Sequence, residues 1–159
     1  MSTPFFIPKD PHEKASAFLD TLKGYLDPKL PLVSNLANMS ALIKAFFPEL
    51  NWAGFYLYDD EKLCLGPFQG LPACTSIALG KGVCGKAAKN RETILVADTH
   101  QFTGHIACDS LSRSELVVPI VAHDRLIGVL DLDSPEIGHF TEEDRILYHA
   151  AVTLLIDIC

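Results

Sequence analysis

Positive charge is scarce in this chain: 13 Lys and Arg stand against 20 Asp and Glu among 159 residues, for a formal net charge of −7. Phosphate backbones are bound by clustered cations, and no such cluster occurs along the sequence, so nucleic acid is excluded and small molecules or proteins remain as partners. Long apolar runs are lacking too. No stretch approaches the roughly 20 residues that span a bilayer, and the opening MSTPFFIPKDPHEK has no basic region followed by an apolar one. The expectation is a soluble cytoplasmic protein. Internal repeats, low-complexity tracts and Gly/Ser linkers are also missing, so 1–159 is read as a single domain. A chain of this length buries roughly two thirds of its unfolded surface and needs no metal or disulfide for stability.

What the chain does have is thiols. Cys74, Cys84 and Cys108 fall in the one stretch CTSIALGKGVCGKAAKNRETILVADTHQFTGHIAC. In a reducing compartment such thiols stay free unless they are catalytic or sensing, so three small buried hydrophobes is the competing reading. With His105 they offer four zinc donors, yet their spacing matches none of the paired C-x₂₋₄-C forms, which leaves zinc the weaker reading. Gly80-Lys81-Gly82-Val83-Cys84-Gly85 satisfies G-x-G-x-x-G. The helix after it is too short for a βαβ crossover and no further βαβ units follow, so these glycines read as turn formers, not as a dinucleotide site.

Hydrophobic period places the elements. Asp10-Pro11 with Glu13 opens a helix bearing Phe18, Leu22 and Tyr25, and a second helix is expected over about 31–47 with Leu32, Leu36, Met39, Ile43 and Phe47 on one face. From Asn51 to Tyr58 the period changes to two, with Trp52, Gly54 and Tyr56 alternating against Ala53, Phe55 and Leu57. Strands are expected at 63–68, 75–79 and 93–97, with breakers at Gly66-Pro67 and Gly70-Leu71-Pro72 and a short helix at 83–90 carrying Cys84. The stretch 98–113 reads as a long functional loop around Cys108. Strands 114–122 and 126–134 form a hairpin through His123-Asp124-Arg125, in which Pro119 marks a bulge or an edge. Thr141 with Asp144 opens a last helix, whose inner stripe is expected to be Ile146, Leu147, Ala150, Leu154 and Ile158. Strand runs flanked by helices give an α+β class: a mostly antiparallel six-stranded sheet, the terminal helices bundled on one face and the irregular loops on the other.

The hairpin carries the second chemical signal. If Ala122 faces Leu126, the count sets Glu115 opposite Asp133, with Asp131 on the same face, and like charges so placed destabilise a sheet. Solvated acids at a strand end, or acids paired with Arg113, are the plain alternative. It is weakened because Asp131 and Asp133 interrupt an apolar run. Crowded carboxylates do not all ionise easily, so one is expected to keep a proton near neutrality. A thiolate attacks electrophilic sulfur and a carboxylic acid protonates a departing oxygen, the two parts of sulfoxide reduction. A second thiol then condenses with the sulfenic acid and leaves a disulfide for an external dithiol.

The strings NWAGFYLY, LGPFQGLPAC, GKGVCG, GHIACD, SRSELVVPI and GVLDLDSP resemble the GAF-domain free methionine-(R)-sulfoxide reductases over most of the chain after Asn51. The resemblance implies reduction of free L-methionine-(R)-sulfoxide without a bound cofactor, regeneration by thioredoxin, and a homodimer built through the helices. It also implies roles: Cys108 as nucleophile, Cys74 as main resolving thiol, Cys84 as auxiliary thiol, Glu115, Asp131 and Asp133 as substrate-holding acids, and Trp52 and Tyr56 as an aromatic wall; the strand count adds Glu115 as the expected proton donor, because facing Asp133 it gains most by staying neutral. Cys64 and Cys159 lie outside these motifs and are read as incidental. A GAF small-ligand sensor or a redox switch on the same thiols are the rival readings.

Overall fold

The structure, a computed structural model, describes residues 5–159. Helix α1 (Pro11–Tyr25) starts where Asp10 accepts hydrogen bonds from the backbone N–H groups of His12 and Glu13, with Pro11 in the first turn. Helix α2 (Leu32–Phe46) follows, then strands β1 (Trp52–Tyr58), β2 (Lys62–Gln69) and β3 (Ser76–Ala78), helix α3 (Gly82–Asn90) and strand β4 (Ile94–Val96). A 3₁₀ turn (Thr99–Gln101) sits in the long loop, before β5 (Ser114–Ala122), β6 (Arg125–Ser134) and α4 (Glu142–Ile156). The six strands form one sheet in the order β3-β2-β1-β6-β5-β4, with every neighbouring pair antiparallel.

Strand alternation divides the protein into two cores. Ala53, Phe55, Leu116, Val118, Leu130 and Leu132 point to the helices, where Phe18, fully buried, stands edge-on to Phe46, Phe47 and Tyr148. The opposite face, with Trp52, Tyr56, Val117 and Val129, is covered by α3 and the loops. Acids at positions 115, 131 and 133 therefore lie on the loop face because the sheet has period two and their neighbours are wanted by the helix core.

Three local expectations change. The hairpin turn is two residues, His123 and Asp124, both with positive φ, so Ala122 pairs with Arg125 and not with Leu126. A register shift between Ile120 and Val121 adds one residue on β6 and restores Glu115 opposite Asp133. Pro119 stays in register against Val129, on the part of β5 that short β4 does not reach, so it marks an edge. Strand β2 runs through Gly66-Pro67, which form a bulge against β1 where a loop breaker was expected. The inner face of α4 is Leu147, Tyr148, Ala151, Val152 and Leu155, while Ile146 is 64 % exposed. Tyr148 turns the helix inward because its ring completes the aromatic cluster with Phe18 and Phe47.

Candidate active site

Three strands and one helix bring the acids and a thiol together. Asp133 lies between Trp52 on β1 and Glu115 on β5, and Asp131 between Gly54 and Val117. Gly54 leaves the position across from Asp131 without a side chain, and an added Cβ would lie 2.9 Å from the Pro67 carbonyl oxygen and closer still to Phe68. Above this patch α3 places Cys84, whose Sγ is 3.9 Å from Glu115 Oε1. Its first residue, Gly82, has φ +59° and carries Ile106 against it, where a Cβ would meet the Ile106 side chain at 3.2 Å.

Every acid in the cluster is held toward its neutral form. Burial pushes Glu115 well above the usual carboxylate range, and Asp133 adds to it. Asp131 is raised by burial and then by Glu115, and Asp133 by burial and then by Asp131. The Cys84 thiol is raised by burial and by Asp131, so it is a thiol and not a thiolate near neutrality. His105 Nε2 lies 3.2 Å from Glu115 Oε2. Burial lowers His105 while it raises Glu115, and both shifts favour a hydrogen bond between uncharged groups over an ion pair at this contact.

The other two motif thiols close the site from above. Cys74, at the end of the β2–β3 loop, and Cys108, in the loop before β5, are joined in a disulfide with Cα atoms 5.4 Å apart. Beneath it lies a cavity of about 30 Å³ lined by Cys84, His105, Cys108, Glu115, Asp131 and Asp133 among others, room for about one water molecule. Indole Nε1–H of Trp52 donates to the Leu71 carbonyl at 3.1 Å and the Tyr56 hydroxyl donates to the Cys74 carbonyl at 3.1 Å, so both aromatics pin the loop that carries Cys74.

The GAF domain family matches residues 39–155. A free methionine-R-sulfoxide reductase of Escherichia coli (strain K12) is 51 % identical over 113 residues, covering 71 % of this chain and 68 % of that protein. The chain belongs to the GAF-domain free methionine-R-sulfoxide reductase family. A crystal structure of the family's Neisseria meningitidis reductase with its substrate superposes with a TM-score of 0.94 at 39 % identity, covering 99 % of this chain and 95 % of that one. A protein described as a putative GAF sensor, from Burkholderia vietnamiensis, is also similar, with TM-score 0.90, 46 % identity and coverage of 94 % and 96 %.

In this reductase-family chain the residues expected from sequence fall into two layers. Cys108, Cys84, Glu115, Asp131 and Asp133 line the cavity, whereas Trp52 and Tyr56, each 1 % exposed, stand behind the Cys74 loop and off the cavity wall. Zinc on three thiols is replaced by a different arrangement, since two of the three are bonded to each other. Arg113 does not neutralise the acids; it pairs with Asp98 at 3.7 Å. Cys64 sits on β2, its Sγ donating to Asp59 at 3.3 Å, and Cys159 is exposed at the C-terminal end, both away from the cavity lining. Sequence reasoning missed Asn51, Asp109 and Ser112. Asn51 Nδ2 donates to Asp109 Oδ2 at 2.9 Å and lies 3.1 Å from Ser112 Oγ, which ties the Cys108 loop to the start of β1. The His105 partnership with Glu115 was missed too, although Gly104, with φ +79°, marks the turn that aims it.

Proposed function

We propose that this chain, working as one GAF domain, reduces free L-methionine-(R)-sulfoxide to methionine and that the Cys74–Cys108 disulfide is the oxidised end of its cycle. One observation carries the reading: a disulfide lies over a buried thiol and three buried carboxyls. In the reduced protein Cys108 attacks the sulfoxide sulfur and the oxygen ends on Cys108 as a sulfenic acid, which releases methionine. Cys74 then attacks that sulfenic sulfur, an S–S bond forms, and the oxygen leaves as water. An external dithiol, thioredoxin, takes the place of the product and returns both thiols at the cost of its own disulfide.

A carboxylate beside a thiolate hinders attack, and the raised acids remove that conflict. Glu115, neutral through burial and Asp133, adds no charge near Cys108 and donates to the sulfoxide oxygen, with His105 alongside as its proton partner. Asp131 or Asp133, ionised once substrate is bound, holds the ammonium. A cavity of about 30 Å³ is too small for an amino acid, so substrate enters only after reduction frees the two loops. Trp52 and Tyr56 then form the wall around the substrate methyl group. The reading needs no bound cofactor. It includes a cytoplasmic setting, where dithiol reductants are available, and a homodimer through the helix face, supported by exposed Ile146 beside a cleft that Leu19 and Leu147 line.

A rapid-quench assay on the reduced protein tests the order of the thiols. Parent and Cys74→Ser chains each release about one methionine per chain in the first pass, the variant stalling as a dimedone-reactive sulfenic acid, and Cys108→Ser releases none. Multiple turnover by Cys108→Ser removes it as nucleophile. Cys64→Ser and Cys159→Ser keep the parent rate.

A further inference from the structure

Cys84, Glu115 and Asp131 offer one sulfur and two carboxylate oxygens that lie within 4.8 Å of one another. All three side chains are buried, at 3 %, 6 % and 6 % exposure, and Asp131 Oδ1 has no hydrogen-bond partner among the described residues. An unpartnered oxygen at that depth costs stability unless a hydrogen-bond donor or a cation reaches it. Substrate ammonium would satisfy the oxygen and leave the thiol with only its 3.9 Å contact to Glu115 Oε1. A thiophilic cation satisfies both.

From this juxtaposition we propose that the floor of the cavity is a binding site for a divalent cation of zinc type, held by Cys84 Sγ, Glu115 and Asp131, with His105 beside Glu115. A zinc ion with sulfur at about 2.3 Å and oxygen at about 2.0–2.2 Å sets a tetrahedral S–O edge of about 3.6 Å. Cys84 Sγ and Glu115 Oε1 are already 3.9 Å apart, and His105 Nε2 is 3.2 Å from the other Glu115 oxygen. Sulfur among the donors selects zinc or cobalt over magnesium and calcium, which take oxygen alone. Cys84 loses its proton on binding, as a thiolate ligand must. The ion occupies the ground assigned to the substrate ammonium, so it acts as a competitive inhibitor and not as a cofactor. That last consequence rests on the reductase reading; the site itself does not.

Cobalt(II) titration of the chelator-treated full-length disulfide form tests the site without any turnover. The expected result is one ion per chain with thiolate-to-cobalt absorption in the near ultraviolet, displaced by zinc and not by excess magnesium or calcium. Cys84→Ser loses the band, Asp131→Asn binds at least tenfold more weakly, and Cys64→Ser and Cys159→Ser keep parent affinity, with circular dichroism confirming the fold of each. Absence of the band, its survival in Cys84→Ser, its loss in Cys64→Ser, where Asp59 offers a surface thiol–carboxylate pair, or full affinity in Asp131→Asn each overturns the proposal. If the site holds and zinc fails to raise the apparent KM for free methionine sulfoxide in proportion to its occupancy, the reductase reading of this pocket fails separately.

Discussion

Glu115 concentrates the chemistry at the residue scale. It faces Asp133 across the ladder, touches His105, and lies below the Cys108 loop, so its proton is both kept by burial and close to where a leaving oxygen would sit. Replacing it with glutamine keeps the shape and a hydrogen-bond donor but removes the transferable proton. Glu115→Gln is therefore expected to lower kcat by roughly 10²–10⁴ with a smaller change in KM, whereas Asp131→Asn and Asp133→Asn chiefly raise KM. Steady-state kinetics on the three variants separate the roles. A Glu115→Gln enzyme with near-parent kcat moves the proton donor to another group. His105 shows the limit of reading such a site from sequence: loop residues ten positions from Glu115 meet it only through the turn at Gly104, and no period or spacing encodes that contact.

At the scale of elements, β1 does more than supply a wall. Tyr56 is expected to hold the Cys74 loop where Cys108 can reach it, through one hydroxyl-to-carbonyl bond worth on the order of 0.5–1.5 kcal/mol. Tyr56→Phe retains the ring and loses that bond. First-pass methionine release should then stay near the parent rate while closure of the disulfide slows by about tenfold, read by quenching and alkylating free thiols over time. Equal slowing of both steps would place the hydroxyl on the substrate instead. The strands themselves were legible because their alternation is strict: a buried helix face on one side and a loop face on the other leave only one register for Glu115, Asp131 and Asp133. A three-residue turn sets Glu115 opposite Asp133, and the two-residue turn keeps that pairing because a bulge near Ile127, which no residue type announces, adds the missing residue. Helical spacing puts Ile146 on the inner stripe of α4 and leaves Tyr148 out of it, whereas aromatic packing on Phe18 decides the rotation.

For the whole molecule, three buried carboxyls with raised values make folding depend on pH in an unusual direction. Unfolded, such groups ionise near pH 4; folded, they keep their protons to higher pH, so the native state binds more protons than the unfolded chain. Stability from these groups is full below about pH 4 and is lost as pH rises through their folded values. In chelator, Asp131→Asn should gain thermal stability relative to the parent as pH is raised from about 6 to about 9. A constant difference across that range would show that Asp131 is already ionised in the folded protein. Among the described residues no helix is long and apolar enough to cross a membrane.

The most direct test of the account is the consumption of thioredoxin reducing equivalents by the purified protein with resolved sulfoxides, free and blocked. The account predicts turnover with free L-methionine-(R)-sulfoxide, little with the (S) epimer, and little with the N-acetylated, amidated (R) compound, which lacks the ammonium that Asp131 or Asp133 would hold. Comparable kcat/KM for free and blocked substrate, or no turnover with the free (R) sulfoxide by a protein whose Cys74–Cys108 disulfide thioredoxin reduces, would contradict it.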